Sequence, residues 1–161
     1  MASKLRNLFS RLIPAGLVAI AMSAPASAQV APQNTGQMDG IAREMVNSGK
    51  LDNIDWVEVS AIFGIDADGD VVESYGYAYD RSGIPHAVTF LTDAVEQEVK
   101  SYREWLKREH RGDFIKMLFQ FNRETRRFNA DFEYDNPLRW QVTPKNLEKI
   151  TAELRPNLGS R

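Results

Sequence analysis

The chain has 161 residues, 43% hydrophobic and 26% charged, with 20 basic and 22 acidic side chains, two histidines and no cysteine. No disulfide staple, thiolate chemistry or cysteine metal site is available to it, and the charge balance argues against a polyanion-binding protein. The length is enough for one domain with its own core.

Lys4, Arg6 and Arg11 precede an apolar stretch from Leu12 to Met22 that Pro14 and Gly16 interrupt, and Ala26-Ser27-Ala28 forms a small-x-small site before Gln29. This is the order of a cleavable secretory signal over residues 1–28. Its apolar run is far shorter than the ~20 residues of a membrane-spanning helix. The expected mature protein starts at Gln29, resides in the periplasm and keeps no stable membrane anchor. The signal takes away three basic residues and no acidic one, so 17 basic residues face 22 acidic ones, a net charge of −5.

Residues 29–36 are polar, with Pro32 and Gly36, and read as a short disordered leader before a single domain over 37–158. Met38, Ile41, Ala42, Met45 and Val46 then recur at helical spacing, and Gly49 closes that helix. Residues 56–65 form a strand with Val57, Val59, Ala61 and Phe63 on its buried face and Trp56, Glu58, Ser60 and Ile62 on the other. A second strand, 71–79, is joined to it through Asp66-Ala67-Asp68-Gly69-Asp70, a hairpin-turn sequence. Residues 81–89 contain Gly83 and Pro85 and read as a loop or broken edge strand.

The clearest helix follows, with Leu91, Val95, Val99, Tyr102 and Leu106 along one stripe and Trp105 beside it. Asp93 and Glu96 are placed for a capping box, and Gly112 for a stop. Residues 114–122 are apolar on both faces, the mark of a central strand covered twice. After the loop Arg123-Glu124-Thr125-Arg126, residues 127–134 alternate, with Phe128, Ala130, Phe132 and Tyr134 inward and Arg127, Asn129, Asp131 and Glu133 outward. Thr143 and Pro144 open a last helix whose inner face holds Leu147, Ile150 and Leu154. The order α-β-β-α-β-β-α predicts an α+β domain, an antiparallel sheet of about four strands packed against helices.

Few residues suggest chemistry. The acidic segment 66–70 has its glycine at position 4 rather than 6 of an EF-hand loop and Tyr77 at position 12, so it reads as a turn. His86 and His110 lack metal-ligand spacing, and no serine lies in a Gly-x-Ser-x-Gly elbow. No catalytic set, metal or cofactor is assigned. Asp131, Glu133 and Asp135 share one strand face. They could serve as the acid–base pair of a hydrolase, but an exposed row that discourages edge pairing is the simpler reading. Tyr75, Tyr77 and Tyr79 form a second row, for cross-strand packing or for contact.

The stretch Phe128-Asn129-Ala130-Asp131-Phe132-Glu133-Tyr134-Asp135, followed by Trp140 and a proline-started final helix, resembles the C-terminal half of the YezG-like immunity proteins. In that family an aromatic-acidic strand ending near a Tyr-Asp pair follows a long charged helix and a central strand. The similarity spans residues 56–156. It implies a small, non-enzymatic antidote that binds and neutralises a cognate polymorphic toxin, often a nuclease, and it brings no catalytic set. The signal sequence is a departure, since familiar members sit in the cytoplasm; an exported relative would meet its toxin in the periplasm or serve another binding role.

The leading expectation is therefore an exported immunity or inhibitor protein with Asp131, Glu133, Asp135 and Trp140 at its interface. Those carboxylates would steer in a basic toxin surface; nucleic acid is not an expected partner. A periplasmic binding module for another ligand is the first alternative, and a hydrolase using the acidic row the second. Because the row is placed outside the core, reversing the charge of Asp131 and Glu133 is expected to leave folding intact.

Overall fold

A computed structural model describes residues 32–159. The expected signal, residues 1–28, and residues 29–31 of the expected leader lie outside the described residues. Along the chain come α1 (Pro32–Asn47), β1 (Trp56–Ile65), β2 (Val71–Asp80), β3 (Pro85–Val88), α2 (Asp93–Arg108), β4 (Lys116–Asn122), β5 (Arg127–Glu133) and α3 (Leu147–Glu153). The architecture is α+β, with one antiparallel sheet in the order β3-β2-β1-β4-β5. It has five strands rather than four, because the ambiguous segment after β2 pairs as an edge strand. Pro85 is tolerated there, as an edge offers one side without a donor requirement. The preceding turn is held by Asp80, whose Oδ1 accepts from the Ser82 and Ile84 amides at 2.9 and 3.0 Å and whose Oδ2 meets His86 Nε2 at 2.9 Å.

α1 starts earlier than its apolar spacing indicates, so residues 32–36 are helical and not leader. Proline suits a first helical turn because the amide it lacks would be unpaired there. The extension is secured from outside: the buried Asn34 accepts a 2.6 Å hydrogen bond from the Tyr102 hydroxyl of α2. α2 is capped one residue before the expected box, with Thr92 Oγ1 accepting from the Val95 amide at 3.3 Å.

The sheet is covered on both faces. Val59, Ala61 and Phe63 of β1, with Met117, Phe119 and Phe121 of β4, form one core against Ile41 and Met45 of α1 and Val95, Val99 and Leu106 of α2. On the other face Ile62, Tyr77, Tyr79 and Leu118 meet Ile150 and Leu154, with Trp140 and Val142 packed alongside. β1 is thus buried on both sides like β4, which corrects its reading as half-exposed. A register shift between Trp56 and Glu58 turns Trp56 into the first core despite its place in the alternation.

The second face binds the C-terminal segment through polar side chains. Lys116 Nζ donates to the Pro137 carbonyl at 2.7 Å, and the Tyr75 hydroxyl to that of Trp140 at 2.9 Å. The Tyr79 hydroxyl donates to the Thr151 carbonyl at 2.7 Å, and Gln120 Nε2 to that of Leu154 at 2.9 Å. These bonds satisfy carbonyls that irregular backbone would otherwise leave unpaired. α3 begins at Leu147 with Asn146 before it; Thr143 does not cap it, and its amide donates instead to Asn146 Oδ1 at 2.7 Å. Leu147 is exposed rather than on the inner face.

Candidate functional site

The acidic row lies on β5, an edge of the sheet. The Glu133 carbonyl faces β4, accepting from the Ile115 amide at 2.9 Å, so the neighbouring Phe132 peptide points outward. That outward peptide is already engaged: its N–H donates to Asp131 Oδ1 at 2.9 Å and its carbonyl accepts from Arg139 Nη1 at 3.0 Å. Arg139 also pairs with Asp131 and Glu133, at 2.5 and 3.4 Å, and lies 4.1 Å above the Trp140 ring. Glu133 Oε1 accepts from the amides of Tyr134, Asp135 and Asn136, each at 2.9 Å. These bonds, the one from Asn136 foremost, hold the Glu133 carboxyl down to about 2.

Two members of the expected row are therefore occupied by internal contacts, and the end of the β5 edge is closed to strand addition. The expectation that reversing Asp131 and Glu133 leaves folding intact is corrected: a lysine at 133 would remove the acceptor for three turn amides. A carboxylate kept ionised in this way has no proton to give as a general acid at neutral pH. Asp135 is exposed at the start of the following turn. Trp140 is half-buried against the second core with a φ of 62°, a left-handed conformation that its partners must hold.

A different set of residues converges where β1 begins and β4 ends. The C-terminal half of α1, Trp56, Phe121, and Arg81, Arg123 and Arg126 line an open cleft of about 740 Å³. Its floor is apolar, with the Trp56 and Phe121 ring centroids 6.0 Å apart. The Arg123 guanidinium covers Trp56 at 4.9 Å and donates to Asp55 Oδ1 at 2.9 Å. Arg81 donates to Asp55 Oδ2 at 3.1 Å and to Glu124 Oε1 at 2.9 Å. One carboxylate, Asp55, thus orients two guanidiniums.

From α1 comes Arg43, exposed but paired with Glu44 at 3.4 Å and Asp39 at 3.9 Å; from the β4–β5 turn comes Arg126, exposed and without an ion pair among the described residues. These four arginines are spread over more than 80 positions, which is why no local pattern announces them. The nearest signal is the run Arg123-Glu124-Thr125-Arg126-Arg127, readable from sequence only as a hairpin loop.

The segment 66–70 is a turn, as its residue types indicate. Asp66 Oδ1 accepts from the Asp68 and Asp70 amides at 3.0 and 2.9 Å, Asp70 is paired with Lys100, and Gly69 takes a φ of 91°. No group of three or more His, Cys, Asp or Glu side chains able to hold a metal ion occurs among the described residues. Tyr77 and Tyr79 are buried in the second core and Tyr75 is half-buried, so this row packs rather than presents a surface. Among the described residues no helix is long and apolar enough to cross a membrane. No family model matches the chain, and no curated protein matches it.

Proposed function

We propose that this protein is an exported, non-enzymatic immunity or inhibitor protein that acts by binding a cognate protein toxin. The observation that carries the reading is the composition of the cleft: exposed arginines standing around an aromatic floor. Binding energy at protein interfaces concentrates in a few residues, with arginine prominent among them; Trp56 and Phe121 are already buried beneath the cleft and serve as its support. Small-molecule sites, by contrast, enclose their ligand in mostly apolar walls, whereas this cleft is open and rimmed by charge, with its two rings, Trp56 and Phe121, already buried. The resemblance of residues 56–156 to the immunity proteins supports the same reading. The action is occlusion, with no chemical step.

Co-expression of the exported chain with the product of each adjacent reading frame tests this. One neighbour should arrest growth when produced alone, and the chain should restore growth while forming a stable complex that survives gel filtration. If no neighbour is toxic, or if growth returns without a complex, the proposal falls.

A further inference from the structure

The second face of the sheet is not wholly covered. α3 packs on Ile62, Leu118 and Tyr79, and beside it β2, β3 and residues 141–142 leave a groove of about 470 Å³. Its lining is mostly apolar, with Tyr75, Tyr77, Ala87, Val88 and Val142 next to Gln141. Ala87 makes the space. It pairs with Tyr77 across the β2–β3 ladder, so the two point to the same face, and a methyl group leaves the neighbouring tyrosine uncovered on that side. The one charged residue in the lining, Glu73, is paired with Lys116 at 3.0 Å, so the groove presents no free charge.

A second observation comes from the tyrosine row. The Tyr75 and Tyr79 hydroxyls donate to the Trp140 and Thr151 carbonyls at 2.9 and 2.7 Å. Tyr77, between them and only 7% exposed, has no hydrogen-bond partner among the described residues. Every side-chain polar atom sealed from solvent there has one. The Tyr77 hydroxyl is therefore the tip that stays open, and the groove is where this residue meets the surface. Burial pushes its phenol up with no hydrogen bond to offset it, whereas Ser60 offsets burial at Tyr79. The hydroxyl is thus a protonated donor, fixed by the packing of its ring and without an acceptor inside the chain.

We infer that this groove binds a small, uncharged molecule with an apolar ring and one hydrogen-bond acceptor, which the Tyr77 hydroxyl engages. Ligand sites of roughly 300–1,000 Å³ combine apolar walls with a few placed polar groups, as this groove does. A bond formed at a largely buried donor is stronger than one made in water. An anion finds no free cation in the lining, and a cation no free carboxylate. The site lies on the opposite face of the sheet from the arginine cleft, whose Trp56 and Phe121 belong to the first core. It goes beyond the protein-binding function proposed above and does not depend on it.

The test uses the mature chain, read by ¹H–¹⁵N spectra and melting curves. Acetophenone is the probe, isopropylbenzene its counterpart of similar shape without the acceptor, and benzoate and benzylamine its charged counterparts. Acetophenone should shift the signals of Tyr77, Ala87 and Val142 to saturation and bind more tightly than the other three. Tyr77→Phe removes only the hydroxyl. It should leave the melting temperature unchanged, because no internal bond is lost, and weaken acetophenone by about tenfold while leaving isopropylbenzene as before. Ala87→Leu should fill the groove and abolish binding of both. Lys149→Glu, on the exposed face of α3, should not alter it.

Shifts that never saturate or that centre elsewhere overturn the inference. So does binding of isopropylbenzene, benzoate or benzylamine as tight as that of acetophenone, or unchanged acetophenone binding by Tyr77→Phe. A lowered melting temperature in Tyr77→Phe would overturn it by showing that the hydroxyl has a partner within the fold. Groove signals that move with protein concentration alone would make a second copy the occupant. Preferential binding of the peptide acetyl-Leu-Val-Leu-amide would assign the groove to an extended segment of a partner. Either result removes the small-molecule site.

Discussion

Glu133 shows how a side chain that reads as surface charge becomes a structural part. Its carboxylate collects the Asn136, Asp135 and Tyr134 amides and a contact from Arg139, and so folds the chain away from β5 toward the second face of the sheet. Folding lowers its carboxyl from 4.5 to about 2, because those donors bond the ionised form more strongly than the neutral one. A depressed folded value means that the stabilisation is complete above pH 4.5 and is lost as pH falls from there to about 2. Thermal melts of the wild type and of Glu133→Gln across that window check the assignment. The variant should melt lower at neutral pH and lose less stability on acidification; parallel curves would show that the turn does not depend on this charge.

At the scale of elements, β1 and β2 approach closely at one glycine. Gly76 of β2 lies opposite Ala61, and a Cβ added to it would overlap the Ser60 carbonyl oxygen and lie 2.9 Å from the Ala61 Cα. The obstacle is backbone of the central strand, which cannot swing aside as a side chain can. Gly76→Ala should therefore cost at least the upper end of the ~1–3 kcal/mol typical of overpacking, read as a lower urea midpoint with an unchanged slope. A midpoint equal to the wild type would mean that the strands are not registered as described. β3 and the first turn of α1 belong to the same scale. Each is secured by one partner distant in sequence or by a turn: His86 with Asp80 in the first case, Tyr102 with Asn34 in the second. Local periodicity cannot register either contact.

For the molecule as a whole, the sheet divides two cores, and residues 137–159 close the second. That closure uses few apolar side chains, chiefly Ile150 and Leu154, together with the donors Lys116, Tyr75, Tyr79 and Gln120. Each such bond contributes about 0.5–1.5 kcal/mol net, but leaving the buried donor unpaired costs about 1–3 kcal/mol. A chain ending at Asn136 would expose Ile62, Tyr77, Tyr79 and Leu118 and lose these hydrogen bonds, with Lys116 keeping only Glu73. It should bind a hydrophobic dye, aggregate and unfold without a sharp transition. A truncated chain that stays monomeric with the wild-type melting temperature would show that the first core suffices.

The kind and order of most elements follow from the sequence alone, because helix and strand periods are written in residues four or two positions apart. The Val95-Val99-Tyr102-Leu106 stripe, the two-faced β4 and the turn at 66–70 need no distant partner to be recognised. What residues do once folded is another matter. Whether Asp131 and Glu133 face a partner or an arginine depends on where residue 139 returns, and that is set by the donors on the second sheet face. The cleft depends on tertiary structure still more. Residues 43, 81, 123 and 126 meet because antiparallel pairing of β2, β1 and β4 brings their ends to one side and α1 crosses beside them. Charge patterning along the chain cannot encode that meeting, since the sharing of Asp55 by the Arg81 and Arg123 guanidiniums depends on distance in space.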